Sequence, residues 1–208
     1  MNWRLNCQVH SHMINHMNNH KHFAPVPLEK SSRLMNHGPT VLVSARHAGI
    51  QNAMAAAWAC VLDYGSSTKV TVVLDKSTFT RRLIESSGYF VLQLPTRAMA
   101  SLTHALGSVS AADEPHKLEK LGVGLFSAPG LDLPLIEGCV GWLACRLLSE
   151  PHNQNTYDLF IGEVVAAWAD DRVFRDGRWN FGEPQNELRT IHHVAGGQFF
   201  VTGDVVSG

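Results

Sequence analysis

The strongest constraint on how this chain can fold is its rhythm. From Pro25 onward it repeats short runs of β-branched, aromatic and small apolar residues, each stopped by glycine, proline or a polar cluster, and helical stretches are few and brief. Extended runs occupy 40–46, 69–74, 89–94, 138–148, 158–169 and 198–202, and a further pair, 172–175 and 178–181, is joined by Asp176-Gly177. An Asp-Gly dipeptide between two such runs supplies the positive-φ residues that a tight hairpin needs. Helical periodicity is confined to 77–87, 97–106 and roughly 113–120. Many strands with short helices predict a mainly β fold, an antiparallel barrel with helical insertions, rather than a doubly wound parallel sheet.

Composition narrows the class further. A chain of 208 residues with 45% hydrophobic content can build one domain around a full core. The formal net charge is -1 and lysine and arginine are scattered, which argues against nucleic acid as a partner, because binding a phosphate backbone needs clustered cations. No apolar run is long enough to span a membrane and the N-terminus has no apolar signal core, so a cytoplasmic protein without a membrane partner is expected. Cys7, Cys60, Cys139 and Cys145 form neither a C-x-x-C pair nor a zinc-ligand spacing, and are read as free thiols, with Cys139 and Cys145 filling the core.

Residues 1–24 differ from the rest, holding His10, His12, His16, His20 and His22 among asparagines and methionines. Clustered imidazoles can bind divalent ions. A polar stretch without apolar periodicity cannot bury enough surface to fold, so the segment is read as a disordered or accessory leader and 25–208 as the domain.

One strand-to-helix passage carries chemistry. The apolar run Val70-Thr71-Val72-Val73-Leu74 leads into Asp75-Lys76-Ser77-Thr78-Phe79-Thr80-Arg81-Arg82-Leu83-Ile84-Glu85 and ends at Gly88. Ser77 suits an N-cap, Phe79, Leu83 and Ile84 share one face, and Arg81 and Glu85 are spaced as an i,i+4 pair. Free N–H groups at such a helix start, joined by the hydroxyls of Ser77, Thr78 and Thr80 and the charge of Lys76, make an anion site. Asp75 would repel a phosphate and is expected to cap backbone or orient Lys76; of Arg81 and Arg82, one is expected to assist and the other to be solvated. Upstream, 41–46 and a turn at His47-Ala48-Gly49 precede Gln51-Asn52-Ala53-Met54-Ala55-Ala56-Ala57-Trp58. Small side chains in a row let a flat ligand lie against the backbone; as plain packing, the same residues would form a short Ala-rich helix or strand with Trp58 as filler.

The order strand, turn, Asn-x-Met-x-x-x-Trp, strand, then Ser-Thr-x-Thr opening a helix that leads into Gly88-Tyr89-Phe90-Val91-Leu92-Gln93-Leu94 resembles the flavin reductase-like family of FMN-binding split β-barrels. The likeness continues at Tyr157-Asp158-Leu159-Phe160-Ile161-Gly162-Glu163-Val164 and at His192-His193-Val194-Ala195-Gly196-Gly197-Gln198-Phe199-Phe200, covering roughly residues 25–203. It implies FMN as cofactor, with Asn52, Ala53, Met54, Ala55, Ala56 and Trp58 along the isoalloxazine and ribityl chain. Asp75, Lys76, Ser77, Thr78 and Thr80, with Arg82, would surround the phosphate. It also implies NAD(P)H as co-substrate, a homodimer, and a monooxygenase or redox protein as further partner. The activity expected from the resemblance is NAD(P)H-dependent flavin reduction. Many relatives carry a histidine just before the Leu-Phe-Ile-Gly-like strand, where this chain has Tyr157, and this departure keeps open a flavoredoxin-like electron carrier that does not oxidise NAD(P)H itself. Pyridoxamine-phosphate oxidase-like chemistry would need substrate-phosphate arginines that the sequence does not place, and a cofactor-free relic is the remaining alternative.

No catalytic side chain is assigned, since in flavin chemistry the cofactor carries the reaction and the protein supplies position and electrostatics. The chain has no G-x-S-x-G, H-E-x-x-H, Walker loop or complete G-x-G-x-x-G. No metal ligand set is assigned either: His192 and His193 are adjacent on an extended run and point to opposite faces. Asp158 and Glu163, five apart, also fall on opposite faces, against a paired-carboxylate site. His152 is read as a polar-loop residue, and Trp142, Trp168 and Trp179 as core or interface aromatics.

Overall fold

A computed structural model describes residues 25–34, 38–63 and 65–208. The histidine-rich leader and Cys7 lie outside the described residues. The chain divides into two units, 1–34 and 35–208. In the first, Leu28–Leu34 form a 3-10 turn in which the Ser31 hydroxyl donates to the carbonyl of Leu28 at 2.7 Å.

The second unit opens with β1 (Val41–His47), β2 (Ile50–Ala56), β3 (Ala59–Asp63) and β4 (Lys69–Val73), followed by helix α1 (Phe79–Ser87) and β5 (Tyr89–Gln93). A 3-10 turn at Arg97–Met99 runs into α2 (Ala100–Ser108), and α3 (Lys117–Lys120), β6 (Leu125–Phe126) and β7 (Leu135–Ile136) lead to β8 (Gly141–Leu148). Helix α4 (Pro151–Tyr157) precedes β9 (Leu159–Ala169). The hairpin β10 (Phe174–Arg175) and β11 (Arg178–Trp179), a 3-10 segment at Glu183–Leu188, and the hairpin β12 (Ile191–Ala195) and β13 (Gln198–Val201) complete it.

Seven strands make one antiparallel sheet in the order β2-β1-β5-β8-β9-β4-β3. Its two edges, β2 and β3, are joined in sequence by only Ala57 and Trp58, so the sheet must curl until its edges meet. The result is a split barrel whose seam lies between β2 and β3; the carbonyl of Trp58, just before β3, extends the β3–β4 ladder by accepting from the Val73 amide at 3.0 Å. The mainly β, antiparallel architecture read from the sequence is the one observed.

Strand β1 is covered on both faces. Val41, Val43 and Ala45 point into the barrel with Val72, Leu74, Ile84, Phe90 and Phe160, while Leu42 packs with Ala53, Met99, Leu106 and Ile136 beneath α2. At the centre, Gly162 of β9 has no room for a side chain: a Cβ there would lie 2.5 Å from Phe90 Cζ and 2.9 Å from Cys145 Cβ. Cys139 and Cys145 are buried core thiols, and burial pushes the Cys145 thiol up to about 12.

Helix α1 seals one end of the barrel. It ends at Gly88 in the left-handed conformation (φ 73°), whose amide donates to the carbonyl of Ile84 at 2.8 Å. Arg81 pairs with Glu85 as its spacing predicts, at 2.9 Å, but it is 4% exposed and also donates to the carbonyls of Leu74 (3.0 Å) and Gln154 (2.9 Å) and to Asp158 Oδ1 (2.5 Å). Its guanidinium therefore ties α1 to the ends of β4 and α4 and is spent on structure. Arg82 is exposed and lies over the Phe79 ring at 4.9 Å.

Several local readings are corrected. The helix begins at Phe79, not 77, with Thr78 as its N-cap, because the Asp75 carboxylate captures both the amide (2.8 Å) and the hydroxyl (2.6 Å) of Ser77 in a turn. The expected helix 113–120 is reduced to Lys117–Lys120. Of the helix or strand left open for the alanine-rich 51–58 stretch, strand forms at 51–56, where it pairs with β1. The 151–157 stretch is a helix rather than a loop, with Pro151 in its first turn and Asp158 (φ 55°) at its end. The Asp176-Gly177 hairpin forms, but with strands of two residues each.

Candidate functional site: a two-part groove along strand β2

The site is built where α1, β2 and the segment after α2 converge. Thr78 caps α1 by position only: its hydroxyl donates to the carbonyl of Asp75 at 2.7 Å, and no side chain caps the helix. The first-turn amides are thus left for water or a ligand, and they carry the positive end of the helix dipole. Hydrogen bonds from Ser77 hold the Asp75 carboxyl below the usual range, fixing it as an anion that braces the turn.

This helix start opens into a groove of about 440 Å3 lined by Asn52 and Met54 of β2, Ser77–Thr80, the segment Leu106–Asp113 and Lys117. Lys117 is the most informative residue in it and was not singled out in the sequence. Its side chain is 2% exposed, its Nζ donates to the carbonyls of Val109 (2.8 Å) and Leu106 (3.2 Å), and among the described residues no carboxylate pairs with it. Burial pushes its ammonium down to about 8. The only hint in the sequence was its spacing one turn before Leu121, on the side of a short helix where Leu118 and Leu121 pack inward.

Asn52 occupies the floor. It is 2% exposed, and its Nδ2 donates to Thr80 Oγ1 at 2.8 Å, while its Oδ1 is buried without a partner. An orphaned buried acceptor costs about 1–3 kcal/mol, so a donor from a bound molecule is the natural complement. Thr80 is fully buried and positions Asn52.

A second cavity of about 280 Å3 adjoins the first, sharing the wall residues Gly107 and Ser108. It is lined by Ala55, Ala56 and Ala57, by Thr40, by Thr103 and His104 of α2, and by His193, Gly196, Gly197 and Phe199 of the last hairpin. Helix α2 crosses β2 closely here: a Cβ on Gly107 would come 3.2 Å from that of Ala55. Among the described residues, the Thr103 hydroxyl and His192 Nδ1 are the other buried side-chain polar atoms without a partner.

Of the residues expected to hold a ligand, Asn52, Met54, Ser77, Thr78 and Thr80 line the first cavity and Ala55 and Ala56 the second. Ala53 lies on the face of β2 opposite Asn52 and Met54, the face it shares with Ala55, and packs beneath α2 without lining either cavity. Trp58, Asp75, Lys76 and Arg82 line neither cavity, and Trp58 is 54% exposed. The sequence reading missed Lys117, Thr40, Thr103, His104 and the Leu106–Asp113 wall, which reach β2 from α2, the segment after it, α3 and the residue before β1. His192 and His193 do diverge: His193 faces the second cavity and His192 does not line it. Among the described residues no group of three metal-ligating side chains is brought together, and no helix is long and apolar enough to cross a membrane.

The fold and groove define a split-barrel protein with an elongated site, one end suited to an anion and the other to a flat, uncharged group. The chain belongs to the family of the flavin reductase like domain, whose model matches residues 32–184. It is 43% identical over 188 residues to an uncharacterized protein, YddH, of Escherichia coli K12, covering 89% of this chain and 97% of that one. Among solved structures, it is similar to an FMN-binding domain of a flavin reductases-like enzyme from Shewanella baltica OS155, with 55% identity, a TM-score of 0.80, and 89% and 96% of the two chains covered. Flavoredoxin of Desulfovibrio vulgaris (Miyazaki F) shares the fold at 24% identity and a TM-score of 0.70, with 82% and 90% covered.

Proposed function

We propose that the protein binds FMN in this groove and works as an NAD(P)H-dependent flavin reductase. The observation that carries the reading is the meeting, in one groove, of an uncapped helix start with a buried lysine that has no carboxylate partner among the described residues. That combination suits a phosphate dianion, and the similar Shewanella baltica protein is described as FMN-binding.

In this reading the first-turn amides of α1, the hydroxyls of Ser77 and Thr78, and Lys117 hold the phosphate. Both hydroxyls must turn away from Asp75 to do so, while the Asp75 carboxylate keeps the Ser77 amide. Asn52 Oδ1 accepts from the ligand and Thr103 offers its hydroxyl at the ring end, so the two unpartnered buried groups that line the groove fit the cofactor; the third among the described residues, His192 Nδ1, lines neither cavity. Ala55–Ala57 and Gly107 leave room for a flat ring against the backbone of β2. When bound, FMN supplies the capacity to accept and pass on a hydride. The polypeptide binds, orients and partly shields it. The exposed apolar residues Val61 and Leu62 on β3 and Trp168 on β9 support a second copy of the chain as a partner, and a cytoplasmic setting fits the free thiols.

Titration with FMN and with riboflavin, followed by flavin fluorescence, tests the binding. FMN binding tighter than riboflavin is expected, and equal affinities would remove the phosphate from the argument. Oxidation of NADH and NADPH with added FMN tests the activity; no turnover with either donor ends the reductase claim. One observation favours a second reading, an FMN-binding electron carrier. Tyr157 stands where many relatives have histidine; it is 62% exposed and edge-on to His152 at 5.8 Å. Retained FMN that is reduced by a partner protein and not by NAD(P)H would select the carrier.

A further inference from the structure

We propose that His193 and His104 form a proton-accepting pair that charges when the flavin ring beside them is reduced, making electron uptake a two-proton event. The inference rests on the flavin reading above and concerns the ring end of the groove. Of the described residues lining that end, only these two carry ionisable side chains; no described Asp, Glu, Lys or Arg lines it from β2, α2 or the β12–β13 hairpin.

Both imidazoles are held in place. The His193 amide donates to Thr40 Oγ1 at 2.7 Å, and its ring meets Phe199 edge-on at 5.5 Å, so backbone and ring are fixed from two sides. His104 is pressed by the turn of the last hairpin: a Cβ on Gly197 would lie 3.2 Å from its Cε1 and Nε2. Gly196 (φ 56°) and Gly197 (φ 80°) give that turn its shape and let it approach α2 without a side chain between. The hairpin thereby brings a histidine from a late strand to the same cavity as one from α2. The unpartnered Thr103 hydroxyl, fully buried in the same wall, marks a place for a ligand oxygen.

Above neutral pH a flavin ring that gains two electrons takes up one proton and is left with one negative charge. An opposite charge within about 4–6 Å favours the charged form of a base, and imidazole is the side chain whose charge change falls closest to neutrality. With no other cation at this end among the described lining residues, the second proton goes to the imidazole pair. The balance is two electrons and one proton to the ring and one proton from solvent to a histidine nitrogen.

The test is the midpoint potential of the FMN-loaded protein between pH 7 and 8, by spectroelectrochemistry. Each proton taken up with two electrons adds about 30 mV per pH unit to the slope. The expected slope is about 60 mV per pH unit for the natural protein and about 30 for the His104→Gln/His193→Gln double variant. A natural slope near 30, or a slope unchanged in the variant, overturns the inference while leaving FMN binding intact. Failure of the natural protein to quench FMN fluorescence overturns the flavin reading, and this inference with it.

Discussion

Replacing Lys117 with methionine should separate stability from binding. Methionine preserves the length and apolar stem of a side chain that is 2% exposed, and removes its charge. In the unliganded protein burial holds the ammonium at about 8, against an ordinary 10.5. Between those values the folded state binds fewer protons than the unfolded state, so the natural protein should become more stable as pH rises from 8 to 10.5, by roughly 3 kcal/mol at most. That increment is the cost of keeping the charge buried at pH 7, offset in part by its bonds to the Leu106 and Val109 carbonyls. Lys117→Met should flatten the pH dependence and leave stability at pH 7 unchanged or higher. Binding should move the other way. A phosphate dianion favours the charged lysine, and a charged hydrogen bond contributes about 1.5–3 kcal/mol, so FMN affinity at pH 7 should fall roughly 10- to 150-fold in the variant. In the natural protein FMN affinity should decline as pH rises above 8. Urea unfolding at several pH values and flavin fluorescence titration read the two effects. A variant that binds FMN with natural affinity and an unaltered pH profile would refute the phosphate role of Lys117.

Asn52→Leu should weaken FMN binding by about 1–3 kcal/mol in fluorescence titration, with a smaller effect on unfolding, because it removes an orphaned acceptor along with the bond to Thr80. Gly162→Ala should destabilise the barrel by about 1–3 kcal/mol in urea unfolding, since its Cβ would meet Phe90 and Cys145 at 2.5 and 2.9 Å. Arg81→Met should cost about 3 kcal/mol or more of stability and shift the melting transition, because it strands the buried carbonyls of Leu74 and Gln154 and unpairs Asp158. Arg82→Met should leave stability within about 0.5 kcal/mol, since that side chain is exposed.

The barrel was legible because its strands carry their own signal. Val70 and Val72 of β4 and the run Phe90–Leu92 are buried in the paired sheet, which rewards the β-branched and aromatic residues that make them readable. The helix start at Phe79 was legible for a similar local reason, though displaced by two residues from 77 because Asp75 competes for Ser77. Helix α4 escaped notice because Pro-His-Asn-Gln-Asn-Thr-Tyr has no apolar stripe; it is held by Gln154, whose side chain accepts from the Glu150 amide and whose carbonyl accepts from Arg81. Long-range terms of this kind leave no periodicity. Lys117 was missed on the same ground: its burial comes from carbonyls at 106 and 109 and from the groove wall, none of which a charge pattern around residue 117 reveals.

The division between what was readable and what was not follows the construction of the groove. Its floor belongs to β2 and the mouth of α1, rigid parts of the barrel whose residue choice is tied to local geometry. Its far wall belongs to the segment after α2, to α3 and to the last hairpin, which meet the floor only after the chain has folded. Gly107 shows the coupling between the two: the helix that carries the wall lies so near β2 that even a Cβ at position 107 would come 3.2 Å from that of Ala55. Small residues on the floor are therefore needed twice, once to admit a flat ligand and once to admit the wall that covers it. A change such as Gly107→Val should lower FMN affinity by displacing α2 while leaving the barrel core, centred on Phe90 and Phe160, intact. Weakened binding with an unfolding midpoint lowered by the loosened Leu106–Leu42 packing is the expected pattern; natural FMN affinity in the variant would mean that the wall does not cover the ligand.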